Sequence, residues 1–465
     1  MLGINDKNRK WWVLGSVSGV LGLIVLDETV VGVALPTMRD DLGMSLLSSH
    51  WVMNAYLLVF TGFVAVGGKL DDIVGLRNLF IAGIALFGLA SLASGIAQNG
   101  TWIIAARALQ GLGAAMVFPA SFAMISTVFA PEQRGVAFGI QTTVGATFLS
   151  LGPLIGGALT EFLSWRWIFW INLPVVAGII FFTLASWQEP ARQDRTPRID
   201  YLGLVTLVAG LGALVLAIMQ GPEWGWSDPL TLALLAAGVL ILAVFAVTEL
   251  KIVEPLIELD LFRNPTFTGS NLVVFTGELN KIAVIIFGAL YLQKALGMSP
   301  FEAGLALLAA VVPTLLTCIL AGRLADRFGT RWPALTGVLI FAVGITWIGL
   351  AVPFNDYHLL LPALVIWGAG LPFLYVPTTR AVMNSVPASK RGQASGIRVT
   401  AQFLGGTMGM ALSGTLYAIT RDFQVVFLAT SVFTFLVLLI SWFSIEHPAL
   451  GGPMTQAAHG HPEHL

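Results

Sequence analysis

GKLDDIVGLRN, residues 68–78, returns as GRLADRFGTRW at residues 322–332. Both copies carry Gly-x-Leu-x-Asp-x-x-Gly, on Gly68, Asp72 and Gly75 in the first and on Gly322, Asp326 and Gly329 in the second. Each copy fills a short polar break between long apolar stretches, the second and third of a set. A break that recurs at equivalent places in two sets predicts an internal repeat, with residues 11–187 as one six-helix half and 267–445 as the other.

The composition agrees. The 465 residues are 56% hydrophobic and 11% charged, with a mean hydropathy of +0.84. A soluble domain carries about 25% charged residues, so the chain reads as an all-α, polytopic membrane protein. Apolar windows predict 14 transmembrane helices, at 11–35, 48–68, 79–97, 101–126, 136–163, 166–187, 201–220, 230–250, 267–292, 300–322, 333–352, 357–379, 394–419 and 422–445. The seventh and eighth form a two-helix insert between the pseudo-symmetric halves, inside a joining region of 188–266. That region opens with the polar linker QEPARQDRTPRID and closes with ELKIVEPLIELDLFRNPTF, which suits an amphipathic stretch on the membrane surface. Residues 446–465 read as a disordered tail.

The N-terminus, MLGINDKNRK, runs into a first span of about 25 residues without a small-residue cleavage site, so this span is expected to be retained. With the N-terminus in the cytoplasm, 17 of the 24 Lys and Arg residues fall on the inner side and 4 on the outer. The positive-inside rule then places both termini in the cytoplasm.

Charges inside spans are costly and point to function. VLDETVVGVALPTM, residues 25–38, puts Asp27 and Glu28 within the first span. Burial disfavours the charged carboxylate, so one of the pair is expected to take up and release a proton near neutrality. The blander reading is a buried partner for a basic residue, or acids near the outer end of the span. Arg107 lies six residues into the fourth span, roughly 9 Å deep, and Asp27 eight residues from the outer end of the first, roughly 12 Å. Opposite charges at similar depth can pair, either as a switch coupled to conformation or as a static ion pair. The ninth span carries Glu278, Asn280 and Lys281. Glu278 and Lys281 share a helical face and either neutralise each other or line a central cavity opposite Asp27 and Glu28. A cationic Lys281 widens the substrates from cations to zwitterions, acids and lipids. Tyr56 and Phe275 are candidates for an aromatic cavity wall, against the commoner role of plain packing.

Other classes are excluded. Cys318 is the single cysteine, so no intramolecular disulfide forms. The net charge of −1 leaves no nucleic-acid footprint. No phosphate-binding glycine loop with a lysine, zinc-ligand histidine pair or Ser/His/Asp set is present, so no ATP, metal site, cofactor or enzymatic activity is expected.

These motifs together resemble the major facilitator superfamily, in particular its 14-span drug:proton antiporter group. LDETVVGVALPT from Leu26 matches the first-helix signature, whose aspartate falls on Asp27. The loop signature falls on Gly68, Asp72 and Gly75 and again on Gly322, Asp326, Arg327 and Gly329. RALQGLGAA supplies the fourth-helix arginine, Arg107, followed by Gln110 and Gly111. GPLIGGAL places the antiporter signature on Gly152, Pro153, Gly156 and Gly157, and WRWIFWINLP follows at 165–174. The resemblance implies a latch at the Asp-x-x-Gly loops, and a hinge or seal at Gly152–Gly157 where a plain packing face is the alternative. The first loop departs from the pattern, with Ile73 in place of the usual arginine and an extra Asp71.

The expected activity is export of lipophilic or amphipathic small molecules across a lipid bilayer, driven by the proton gradient through alternating access. A monomer is compatible with it. Two alternatives stand beside it: an exporter of one endogenous metabolite or lipid, and a non-transporting receptor or scaffold.

Overall fold

A backbone in hydrocarbon must satisfy its own hydrogen bonds, and this chain does so with helices. The computed structural model describes residues 4–189, 200–252 and 255–445, without the side chains of 46, 47, 71–73, 300 and 301. The expected tail at 446–465 and most of the polar linker lie outside the described residues, as does the side chain of Asp72. In order the helices are α1 (Arg9–Asp41), α2 (Leu46–Val74), α3 (Leu76–Gly95), α4 (Gly100–Val128), α5 (Arg134–Phe162), α6 (Trp167–Trp170), α7 (Asn172–Ser186), α8 (Tyr201–Trp224) and α9 (Pro229–Glu249). They continue as α10 (Pro265–Ile282), α11 (Gly288–Lys294), α12 (Pro300–Phe328), α13 (Arg331–Ala351), α14 (Tyr357–Asn384), α15 (Arg391–Thr420) and α16 (Phe423–Ser444).

Thirteen spans among the described residues are long and apolar enough to cross a membrane. The 30-residue α15 falls outside that set because Arg398, Gln402 and a run of glycines dilute its hydropathy. Several predicted spans extend further. The Gly-x-Leu-x-Asp stretches, expected as loops, continue α2 to Val74 and α12 to Phe328. No residue before Gly75 or Gly329 breaks the helix, and those two adopt φ of 92° and 80°, a region that glycine enters without penalty. The predicted sixth span is split into α6 and α7. The stretch expected on the membrane surface contains a 3-10 turn, Leu259–Arg263. Leu261 of that turn, and Leu256 and Ile257 before it, are buried in the protein core, and Gln393 Nε2 donates to the Leu256 carbonyl at 2.7 Å.

Side-chain packing differs between the two ends of the molecule. At the end carrying the Asp-x-x-Gly turns, one buried cluster joins residues of α1–α5 and α7 to Phe267, Ala321, Phe373, Val376 and Ala394 of α10–α15. At the far end a separate cluster gathers Val30, Ala34, Ile103 and Trp165, and a third runs the length of α10–α16, from Ala334 and Ile445 to Leu292 and Leu360. Between the two ends Phe60 and Phe118 meet Phe403 of α15 edge-on, with centroids 4.4 and 6.2 Å away. Phe60 and Phe118 are buried, so these rings pack α2 and α4 against α15. Helix α5 packs closely on α1: a Cβ on Gly152 would strike Thr29, and one on Gly156 would lie 3.0 Å from Val30 Cα.

Candidate functional site

Helix α1 is apolar on nearly all sides, so its two adjacent acids point in directions about 100° apart. Asp27 turns into the bundle of α1–α7 and is fully buried. Arg107 of α4, 1% exposed, donates to its Oδ2 at 2.6 Å. Gln110 Nε2 reaches Oδ1 at 2.8 Å and Asn172 Nδ2 reaches the same oxygen at 3.2 Å. Arg107 also donates to Gln110 Oε1 at 2.7 Å and to the Val52 carbonyl at 3.0 Å. The Asn172 amide is steadied by Ser91 Oγ, 2.9 Å away. Every charge in this nest is answered, as a buried pair requires if removal of either partner is not to leave an orphan.

Tyr56, expected in the cavity wall, lies beneath this nest. Its ring carries the Arg107 guanidinium at 4.4 Å and stacks on Phe60. It is 1% exposed, so it supports the ion pair and lines no open cavity.

Glu28 turns the other way. It keeps accessible surface, and no hydrogen bond or ion pair engages it among the described residues.

Helix α10 presents a second charged wall. Glu278 and Lys281 form an ion pair one turn apart, with Lys281 the more accessible at 23% against 10%. Glu278 Oε2 also accepts from Tyr375 Oη at 2.5 Å and from Gln402 Nε2 at 3.1 Å. Arg398 donates to Gln402 Oε1 at 3.1 Å and to Thr379 Oγ1 at 2.8 Å while covering the Phe122 ring. Immediately after Lys281 the helix loosens into a π turn, Ala283–Phe287, a distortion that recurs at functional sites. Phe275 lies half-buried one turn before Glu278, where its carbonyl meets Gly405 of α15.

Asn280 does not join this wall. It is fully buried and donates to Thr434 Oγ1 of α16 at 2.6 Å. Two residues beyond Glu278 is about 200° around the helix, so the expected cavity position becomes a packing contact.

The latch residues meet at the closed end. Helix α5 has no side-chain cap of its own. Asp326 supplies one from α12, its Oδ1 and Oδ2 accepting the Gly135 and Val136 amides, each at 2.9 Å. A carboxylate at a helix N-terminus is favoured by both the free amides and the dipole. Arg380 of α14, at 3.0 Å, supplies the cation. Arg327, expected beside Asp326 in the latch, is exposed and lies over Phe328, because the next residue in a helix points elsewhere. Gly322 abuts Gly135, and Gly68 abuts Gly392 and Gly396, so both crossings are backbone on backbone. In the stretch expected to hinge, Gly152 and Gly156 face α1 while Pro153 and Gly157 turn away from it.

Ser91, Asn172, Tyr375, Gln402 and Arg398 complete the two charged nests and were not singled out as site residues from sequence. Asn172 and Arg398 each interrupt an apolar stretch, a signal that could have marked them. Ser91 carries none.

Many apolar helices with charged groups buried at mid-depth define a multi-pass membrane protein. The chain belongs to the Major Facilitator Superfamily, whose profile matches residues 17–256 and 270–461. Its relatives include the puromycin resistance protein pur8 of Streptomyces alboniger, 36% identical over 414 residues, 88% of this chain and 82% of that one. The tetracenomycin C resistance and export protein of Streptomyces glaucescens is 33% identical over 420 residues, 89% and 77% of the two chains. Among solved structures, the human organic anion transporter MFSD10 aligns with a TM-score of 0.67 at 14% identity, covering 94% of this chain and all of that one. The proton:xylose symporter XylE aligns with a TM-score of 0.67 at 15% identity, over 95% and 97%. The structural likenesses bear on the fold.

Proposed function

We propose that this chain is a proton-coupled antiporter that exports lipophilic or amphipathic compounds by alternating access. In this reading α15 is the fourteenth span, α8 and α9 are the two-helix insert, and residues 11–187 and 267–445 are the rocking halves. The end closed by the Asp-x-x-Gly turns is cytoplasmic, both termini with it, and the membrane is the cell membrane. The names of the relatives, which include resistance and export proteins, support efflux as the direction.

The observation that carries the proposal is the pairing of a buried, fully answered Asp27 with a solvent-reached, unanswered Glu28 one residue on. With the halves open outward, Glu28 meets external protons. Protonation removes a charge that would oppose their closing in low dielectric. The Asp27–Arg107 pair is the element that rearranges: a proton reaching Asp27 frees Arg107, which shifts the helices that share it. Asp326 and the α5 N-terminus hold the cytoplasmic side shut until then. Substrate entering from the cytoplasm or the inner leaflet displaces the proton inward.

Proteoliposomes loaded with a pH-sensitive dye test this. Lipophilic cations, zwitterions and lipids would be added under an imposed proton gradient to wild type, Asp27→Asn, Glu28→Gln and Glu278→Gln. Substrate-dependent proton movement lost in the α1 variants supports the assignment. Coupling lost only in Glu278→Gln moves it to α10. The accessible Lys281 favours one further reading, an exporter of a specific anionic metabolite or lipid, which a response confined to such compounds would support.

A further inference from the structure

We propose that Glu249 at the end of α9 and Asp200 at the start of α8 share one proton, and that this proton ties residues 255–258 to the closed end of the molecule and frees them as the pH there rises. The proposal goes beyond the antiport reading and stands or falls without it.

Asp200 caps α8, its Oδ1 accepting the Gly203 amide at 2.9 Å. Glu249, 4% exposed, is the last residue of α9, and its Oε2 accepts the Ile257 amide at 3.0 Å. The two remaining oxygens, Asp200 Oδ2 and Glu249 Oε1, are buried without a donor. They converge over Gly203, where a Cβ would lie 2.2 Å from the first and 2.4 Å from the second. No cation answers them among the described residues. Asp200 is the one charged group acting on Glu249, Glu258 pairs instead with Lys390, Lys251 beyond α9 is exposed, and α15 offers the neutral Gln393.

Two carboxylates cannot both stay ionised in such a place, and one proton between the facing oxygens satisfies both. The helix ends decide where it sits. Free amides and the dipole at the α8 N-terminus favour the charge on Asp200, whereas a charge on Glu249 would meet the negative end of α9. Glu249 Oε1 therefore carries the proton and donates it to Asp200 Oδ2.

The pair holds the segment that leads from α9 to α10. While Glu249 anchors Ile257, Gln393 Nε2 of α15 donates to the Leu256 carbonyl at 2.7 Å and Lys390 pairs with Glu258. A few residues on, Gly392 and Gly396 meet Gly68 of α2 backbone to backbone. The acid pair thus belongs to the packing that closes this end. Losing the proton leaves like charges on facing oxygens, which push α8 from α9 and draw Glu249 away from Ile257. Because the joined pair binds a proton that the separated acids release, the tie holds near neutrality and weakens as the pH rises.

Hydrogen exchange of the amides of residues 256–258, corrected for the intrinsic effect of pH, reads the tie on the full chain in nanodiscs. Wild type should lose about tenfold in protection between neutral and alkaline buffer, the worth of one charge-assisted hydrogen bond. Glu249→Gln keeps a donor toward Asp200 and an acceptor for Ile257 with no proton to lose, so its protection should be equal in the two buffers. Asp200→Asn, which donates to an ionised Glu249, should behave alike. Infrared difference spectra between the same buffers should show a protonated-carboxyl band lost in wild type that Glu249→Gln lacks. Unchanged protection in wild type, or an equal fall in both variants, overturns the proposal, as does a wild-type spectrum with no such band. Protection lost to EDTA at neutral pH would also overturn it, putting a divalent cation in the place of the proton.

Discussion

Replacing Arg107 with methionine isolates the energetics of the buried nest. The guanidinium is 1% exposed and answers Asp27 Oδ2 at 2.6 Å, Gln110 Oε1 at 2.7 Å and the Val52 carbonyl at 3.0 Å. Methionine fills much of the volume but leaves Asp27 with two amide donors and no cation. Breaking a buried pair from one side costs about 3–5 kcal/mol, and losing the guanidinium over Tyr56 adds roughly 1 kcal/mol. Asp27→Asn combined with Arg107→Met removes the orphan charge. The double variant is therefore expected to be more stable than Arg107→Met alone, with a coupling of at least about 2 kcal/mol in the double-mutant cycle. Equilibrium unfolding in detergent, followed by tryptophan fluorescence, measures all four proteins. A single variant within about 0.5 kcal/mol of the parent, or a coupling near zero, would refute the claim that this ion pair organises the first half.

Other expectations follow from particular contacts. Asp326→Asn weakens the cap on α5 and the tie to Arg380; the buried Cys318, beside Gly139 on that crossing, should react with a membrane-permeant maleimide about five- to tenfold faster, in line with the ~1 kcal/mol of an N-cap. An unchanged rate would remove Asp326 from the latch. Gly152→Val should cost about 1–3 kcal/mol or more, since its side chain meets Thr29, whereas Gly157→Val, with open space before it, should be tolerated by the same unfolding assay. Tyr375→Phe deletes a donor to Glu278 and should lower stability by about 1–3 kcal/mol in that unfolding assay; unchanged stability would remove Tyr375 from the Glu278 cluster. Asn280→Leu should lower stability by about 1–3 kcal/mol through Thr434 with substrate-dependent proton movement unchanged, and loss of that movement in folded protein would return Asn280 to the substrate path.

The repeat and most spans were legible because apolar length and a recurring Gly-x-Leu-x-Asp-x-x-Gly are local features. Depth along straight helices sufficed to suggest that Asp27 and Arg107 meet, since rise per residue is fixed. Facing was legible too, at 100° per residue: it separates Glu28 from Asp27 and Asn280 from Glu278. The expectation for Asn280 missed this. The partners of Glu278 were not legible, because Tyr375 and Gln402 come from α14 and α15, about a hundred residues away, and nothing in spacing joins them. The latch motif at Asp326 is legible, but not its partners: the α5 N-terminus and Arg380 of α14 reach it through packing that spacing does not show.

The central claim, obligatory exchange of substrate for protons through the acids of α1, meets its most direct test without any imposed proton gradient. Proteoliposomes loaded with substrate and dye are diluted into substrate-free buffer, so that outward substrate flow is the sole driving force. Coupled exchange predicts acidification of the lumen as protons enter against it, absent in Asp27→Asn and Glu28→Gln. Substrate efflux at an unchanged lumenal pH in wild type would contradict the account.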